Sequence, residues 1–284
     1  MERYIIRMKI VLFFIFSIPL MILADETKTI TWARNDAEPF YILEGSQKDK
    51  GFGDEIEALV KIELKNYKHK SIELPLKRVL AAYNKGENLC FSTWINNTTK
   101  NIVYTSLPYV SYYPLGFIVR KSDLNKYDQN SIVNNLNNPK HWFGYPAGRG
   151  YGNILDKILK EKDNKNYINQ RFGKDSVGGI INLLIKKRID YTYEYPFVFH
   201  YFQKKKEINS LIQFIPTKRK DDKGNLGSIS CTKNLWGKEV VLDINKALNK
   251  IVKSEQFKKI INKWIAQDSK YWATKSTDFL TFYK

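Results

Sequence analysis

The residues best suited to chemistry lie between His141 and Asn153, which read His-Trp-Phe-Gly-Tyr-Pro-Ala-Gly-Arg-Gly-Tyr-Gly-Asn. A short apolar run leads into a glycine-rich turn, and a helical pattern continues through Ile154, Leu155, Ile158 and Leu159. Such a turn leaves backbone N–H groups free at a helix start, where the partial positive charge favours an anion. Arg149 adds a guanidinium that can fork onto a carboxylate or phosphate. An ordinary strand-to-helix loop, in which glycine only permits φ > 0, accounts for the same letters. The turn lacks the Gly-Lys-Ser/Thr ending of a nucleotide-phosphate loop.

Catalytic patterns are sparse. His69, His141 and His200 are scattered and have no metal-ligand spacing. No nucleophile elbow occurs. Cys90 and Cys231 are the two cysteines. In an oxidising compartment an isolated pair bridges or stays as two buried thiols. The bridge is the favoured reading, and closing so long a loop would stabilise by ~4 kcal/mol in the loop-entropy model.

The compartment is read from the first 24 residues. Arg3, Arg7 and Lys9 precede the apolar run 10–16, and Ile22-Leu23-Ala24 ends just before Asp25 and Glu26. A basic start, a short apolar stretch and a small residue at the cut make a secretory signal. The run is short for a membrane span, and an uncleaved anchor is the alternative. No Cys follows it, so no lipid anchor is expected. Removing this segment lowers the formal net charge from +18 to about +16. The lysines are dispersed, as at Lys65, Lys68 and Lys70 or Lys186 and Lys187, which suits a solvated surface better than a nucleic-acid stripe. With 284 residues, 43% of them hydrophobic, the chain can build a sizeable core over one large or two ordinary domains.

The elements that must position the turn follow from periodicity. Residues 29–33 form a strand. A polar and aromatic loop, 35–41, leads to a helix with Ile56, Leu59, Val60 and Ile62 on one face and Asp54 as its N-cap. Residues 71–74 make a second strand, Pro75 opens a second helix, and 89–94 make a third strand. This β-α-β-α-β order implies a parallel sheet with right-handed crossovers. A proline- and aromatic-bearing connection, 104–113, precedes a strand at 115–120, and 125–138 reads as a surface loop or short helix. A second α/β unit starts at His141. It has strands at 167–172, 190–193 and 211–216, helices at 177–187 and from Pro196, and a charged turn at 218–225. The last strand, 227–232, and two amphipathic helices, 236–252 and 255–266, close the chain. Two α/β units joined by extended strands suggest two lobes with a cleft between them. Ligands of open α/β sheets bind beyond the carboxyl ends of strands. Here those ends carry residues 35–41, 93–100, 145–151 and 193–195.

In that order, Pro39-Phe40, Gly51-Phe52-Gly53-Asp54, Arg78-Val79-Leu80 with Gly86, Ser106-Leu107-Pro108-Tyr109, Gly148-Arg149-Gly150-Tyr151-Gly152 and Arg188-Ile189-Asp190-Tyr191 resemble the family-3 extracellular solute-binding proteins. These are the type 2 periplasmic binding proteins of ABC importers. The resemblance covers nearly all of the chain after residue 24. It implies a two-lobed α/β fold with the ligand cleft between lobes. Lobe 1 is expected to comprise 25–116 and 227–284, and lobe 2 to comprise 117–226. It also implies a monomer in the periplasm that closes on a small polar solute and delivers it to an inner-membrane permease, without a cofactor.

The family's amino-acid binders grip the ligand carboxylate with an Arg after the third strand. The matching stretch here, Asn96-Asn97-Thr98-Thr99-Lys100-Asn101, has only Lys100. Lysine supplies charge but not the planar fork. Glu194 matches the family position where an acid meets the ligand's cationic group; a helix-start acid favoured by the dipole is its plain alternative. The candidate ligand contacts are therefore Arg149, Gly150 and Tyr151 for the anionic end and Glu194 for the cationic end. Phe40, Tyr41, Arg78, Trp94 and Lys100 are the candidates from the other lobe. Core packing competes for each aromatic. Two other functions remain on the same fold: a dehydratase-like enzyme with Glu194 as general acid or base, and a sensing module for a membrane partner.

Overall fold

The structure is a computed structural model that describes residues 28–95, 99–128, 130–151, 153–162, 165–205, 208, 210–217 and 225–266. The expected signal segment, residues 96–98, Gly152 and nearly all of the charged turn lie outside the described residues.

In the first sheet, β1 (Thr29–Arg34) runs parallel to β2 (Lys68–Glu73) and β3 (Cys90–Ile95). The crossovers are α1 (Phe52–Glu63) and α2 (Leu76–Asn84). α1 turns Phe52, Ile56 and Val60 inward, each fully buried, and such burial is worth about 1.5–3 kcal/mol per side chain. The residue before this helix is Gly51, not Asp54. Asp54 sits one turn in, and its Oδ2 accepts from the N–H groups of Gly51 at 3.0 Å and Ile42 at 2.9 Å. A Cβ at Gly51 would come within 2.6 Å of the Phe40 carbonyl oxygen. Only glycine lets the β1–α1 loop fold back this closely, and the fold-back is what places Phe40.

The connection expected at 104–113 contains two short strands, β4 (Val103–Thr105) and β5 (Val110–Tyr112). Both pair antiparallel with β11 (Asn225–Thr232), which also lies against β3. Three-residue strands carry no readable alternation, and their partner is more than a hundred residues away. Cys90 and Cys231 face one another across β3 and β11 and are joined as a disulfide, with Cα atoms 4.1 Å apart.

The chain then leaves for the second sheet at β6 (Gly116–Arg120). It continues through α3 (Ile132–Leu136), β7 (Phe143–Pro146), α4 (Asn153–Glu161), β8 (Ile168–Arg171), α5 (Ser176–Ile185), β9 (Tyr191–Glu194), α6 (Pro196–Lys205) and β10 (Ile212–Pro216). Strand order is β10-β6-β9-β7-β8; β7 is parallel to β8 and β9, whereas β6 and β10 are antiparallel additions. α5 seats Val177, Ile180, Ile181 and Leu184 against this sheet. β11 returns to the first sheet, and α7 (Leu235–Ile251) and α8 (Glu255–Trp264) pack on α1. The result is a two-lobed α/β fold. No helix among the described residues is long and apolar enough to cross a membrane.

Polar contacts join the lobes around their common edge. The N–H of Asp175 donates to Asp36 Oδ2 at 2.8 Å, and Ser176 Oγ donates to the Asp36 carbonyl at 3.0 Å. Lys77 Nζ reaches Gln170 Oε1 at 3.0 Å, and Lys205 pairs with Glu38. At the crossing itself, Phe40, Phe52 and Tyr112 from the first lobe interleave with Tyr195 and Phe197 from the second.

Candidate functional site

A cleft of about 450 Å³ opens between the lobes, the size of a pocket for one small solute. On the first-lobe side it is lined by Asn35, Ala37 and Phe40 of the β1–α1 loop, Leu76, Lys77 and Leu80 of α2, and Phe91, Thr93, Trp94 and Ile95 of β3. On the second-lobe side the lining is Tyr145, Gly148, Arg149, Gly150, Asp156, Leu159, Lys160, Gln170 and Tyr195. Three of the four strand-end segments read from sequence place several residues in this lining, and the fourth supplies Tyr195.

The turn after β7 is built by Gly148, whose φ of +83° a β-carbon would strain. Two of its main-chain donors are taken within the chain. The Arg149 N–H donates to the Pro146 carbonyl at 3.1 Å, and the Tyr151 N–H donates to Asp156 Oδ1 at 2.7 Å. Asp156 comes from the first turn of α4, so the helix start that could attract a ligand anion already has its own carboxylate. This corrects the expectation that the turn's N–H groups as a set serve the solute.

Arg149 dominates the second-lobe wall. Its Nη2 donates to Glu194 Oε2 at 2.5 Å. Glu194, at the end of β9, has a side chain only 1% exposed and lies behind Arg149, not on the cleft wall. Its Oε2 also accepts the Tyr195 N–H at 3.3 Å, while Oε1 is buried without a hydrogen-bond partner among the described residues. Burial pushes the Glu194 carboxyl above its ordinary value, and the neighbouring guanidinium opposes that shift. For Arg149, burial is the largest single influence and acts against the charge, but the Glu194 carboxylate together with the surrounding tyrosines raises the guanidinium above its ordinary value.

The first-lobe candidates separate. Phe40 and Trp94 line the cleft; Trp94 is held edge-on by Tyr83 and Phe91. Tyr41 does not line it. It is fully buried, and its hydroxyl meets Ser92 Oγ at 2.8 Å and accepts the Ser92 N–H at 3.1 Å, so it belongs to the core. Arg78 is exposed on α2 and off the cleft wall, because one helical residue separates its direction from that of Lys77. Lys100 is exposed and likewise off the wall; its carbonyl accepts from Lys233 Nζ at 2.9 Å. Tyr151 is buried behind the turn, beside Tyr145 and Tyr193. Asp190 is structural. It takes Arg120 Nη2 at 2.6 Å and the Trp142 N–H at 2.8 Å.

Sequence reasoning missed Lys77, Asp156, Lys160, Gln170 and Tyr195. The neighbouring Glu194 and the first-turn position of Lys77 pointed to two of them; nothing local marked the others. No group of His, Cys, Asp and Glu suited to a metal occurs among the described residues.

No protein-family model and no curated protein matches the chain. Solved structures do. An ancestral arginine-binding protein bound to arginine superposes with a TM-score of 0.64 at 18% identity, covering 84% of this chain and 98% of that one. The arginine-, lysine- and histidine-binding protein ArtJ of Geobacillus stearothermophilus gives 0.64 at 15%, covering 87% and 96%. An ABC uptake transporter substrate-binding protein of Streptococcus pneumoniae with bound histidine gives 0.64 at 15%, covering 85% and 94%. By fold, the chain is a two-lobed α/β protein of the same form as these amino-acid substrate-binding proteins.

Proposed function

We propose that this protein is an exported binder, not an enzyme, that captures a small polar solute between its lobes by hinge closure and delivers it to an ABC permease. The observation that carries this reading is the cleft itself: it draws its walls from both lobes, and residues from both sheets meet over one solute-sized space. The fold it shares with amino-acid binders supports the same reading. Hinge closure is supported by the interlobe contacts, which are a few polar bonds, among them the exposed one between Lys77 and Gln170 on the cleft lining, as reversible contacts should be. Phe40 and Trp94 would pack on the solute, and Arg149 and Gly150 would bind its polar end. The lobes are assigned as 25–116 with 227–284, and 117–226. Cleavage of residues 1–24 would release the protein as a periplasmic monomer.

Thermal-shift screening of a metabolite panel, followed by small-angle scattering, tests this. At least one small solute should raise Tm and reduce the radius of gyration. A compound consumed during incubation would overturn the binder in favour of an enzyme, and a panel without any stabiliser would overturn solute capture.

A further inference from the structure

The guanidinium of Arg149 sits in a box made of groups that bind organic cations. Its carbon lies 5.2 Å from the centroid of the Phe40 ring, 5.3 Å from that of Tyr195 and 6.0 Å from that of Tyr151. The Glu194 carboxylate closes the back of the box. Aromatic faces around a buried carboxylate are the chemistry by which proteins hold ammonium and guanidinium ligands. Here the chain supplies the cation itself.

Arg149 is well seated, with a side chain 12% exposed, and it is delivered by a glycine turn that packs onto the start of α2. Yet it still faces the cleft, and among the described residues its hydrogen bonding is confined to Nη2 and Glu194. The Nε and Nη1 donors are left for an acceptor on the solute. Lys77 and Lys160 add positive charge to the same walls, while the lining acid Asp156 is engaged by the Tyr151 N–H. A solute ammonium would therefore meet a guanidinium whose counter-charge is already used.

We propose that Arg149 is a built-in occupant of a cation-binding box, and that the cleft consequently takes a solute bearing a carboxylate or similar anion and no ammonium group. The second half rests on the solute-capture reading; the first does not.

Two measurements test it. In Arg149→Ala the box is opened with Glu194 at its base. Millimolar methylguanidinium or tetramethylammonium, against sodium at equal ionic strength, should raise the Tm of this variant and leave wild type and Arg149→Ala/Glu194→Gln unmoved. An equal response in all three overturns the box. Should Arg149→Ala fail to fold, recovery of folded Arg149→Ala by methylguanidinium, and no recovery of Arg149→Ala/Glu194→Gln, is the readout. In wild type, matched pairs such as 3-phenylpropionate against phenylalanine and 2-oxoglutarate against glutamate should favour the member without the amine by at least about tenfold in Kd. Equal or reversed preference overturns the ligand class. If no member of any pair binds, the ligand class fails, the metabolite panel decides solute capture, and the rescue experiment still decides the box.

Discussion

The two lobes each bury a glutamate against an arginine, and they treat it differently. In the first lobe, Glu57 is fully buried and meets several donors: Arg34 donates through Nη2 at 2.8 Å and through Nε, Lys61 pairs at 2.5 Å, and Ser71 Oγ donates at 3.2 Å. Arg34 in turn reaches Asp49 at 2.7 Å and Asp54 at 3.6 Å. In the second lobe, Glu194 has one cationic partner and a bare Oε1, and that partner faces the cleft. A network of several cations and donors closes a lobe, although its Asp54 Oδ1 has no hydrogen-bond partner among the described residues. An under-saturated pair at a cleft wall keeps donors for something that comes and goes. Burial alone does not separate the two cases, whereas the number of cationic partners, and whether one of them lines the cleft, does.

The comparison can be broken at Glu57. Glu57→Ala should cost about 3–5 kcal/mol in chemical denaturation, because Arg34 and Lys61 lose their shared buried counter-ion. Glu194→Gln should cost distinctly less stability and change solute binding instead. Equal stability losses would mean that both pairs are structural. Next in size is the disulfide, which staples the first lobe only. Reducing it, or replacing both cysteines with Ala, should lower stability by about 2–4 kcal/mol and leave the second lobe's protection in hydrogen exchange intact.

The pH dependence sharpens the picture within the first lobe. Burial pushes the Asp54 carboxyl up to about 6, against the backbone donors and Arg34 that lower it. A raised folded value favours the protonated form. Its stabilising contribution is therefore full below the ordinary carboxylate range and is lost as pH rises through about 6. Wild type should lose roughly 2 kcal/mol between pH 4 and 7 relative to Asp54→Asn, read from denaturant midpoints. An identical pH profile in both would remove Asp54 from the account. The smallest effect is expected at Lys77→Ala, less than about 1 kcal/mol in stability, since its bond to Gln170 is solvent-exposed. Stopped-flow binding should show slower association with anionic solutes.

Much of this fold is legible along the chain. Most long strands and helices follow from apolar spacing, though β2 (Lys68–Glu73) is polar, largely exposed and begins three residues before the strand read at 71–74, and the segments that line the cleft follow from the rule that ligands sit beyond strand ends. The site residues are less legible. Phe40 and Tyr41 are adjacent aromatics of similar size, and only the fold-back over Gly51 turns Phe40 to the cleft and Tyr41 to Ser92. Arg78 and Lys77 are likewise neighbours on one helix, and the packing of α2 decides which faces the cleft. The short strands β4 and β5 gain their identity from β11, far along the chain.

The sequence by itself determined the α/β class, the order of its elements and the glycine turn that presents Arg149, while the antiparallel pairing of β3 with β11 decided that Cys90 and Cys231 bridge. What Arg149 does was decided by tertiary structure alone. Glu194 lies 45 positions away, and parallel pairing of β7 with β9 brings the turn over its carboxylate. Local sequence sets backbone preference within a few residues, but charge pairing acts through space. Which opposite charge a residue meets is known only once the sheet has assembled.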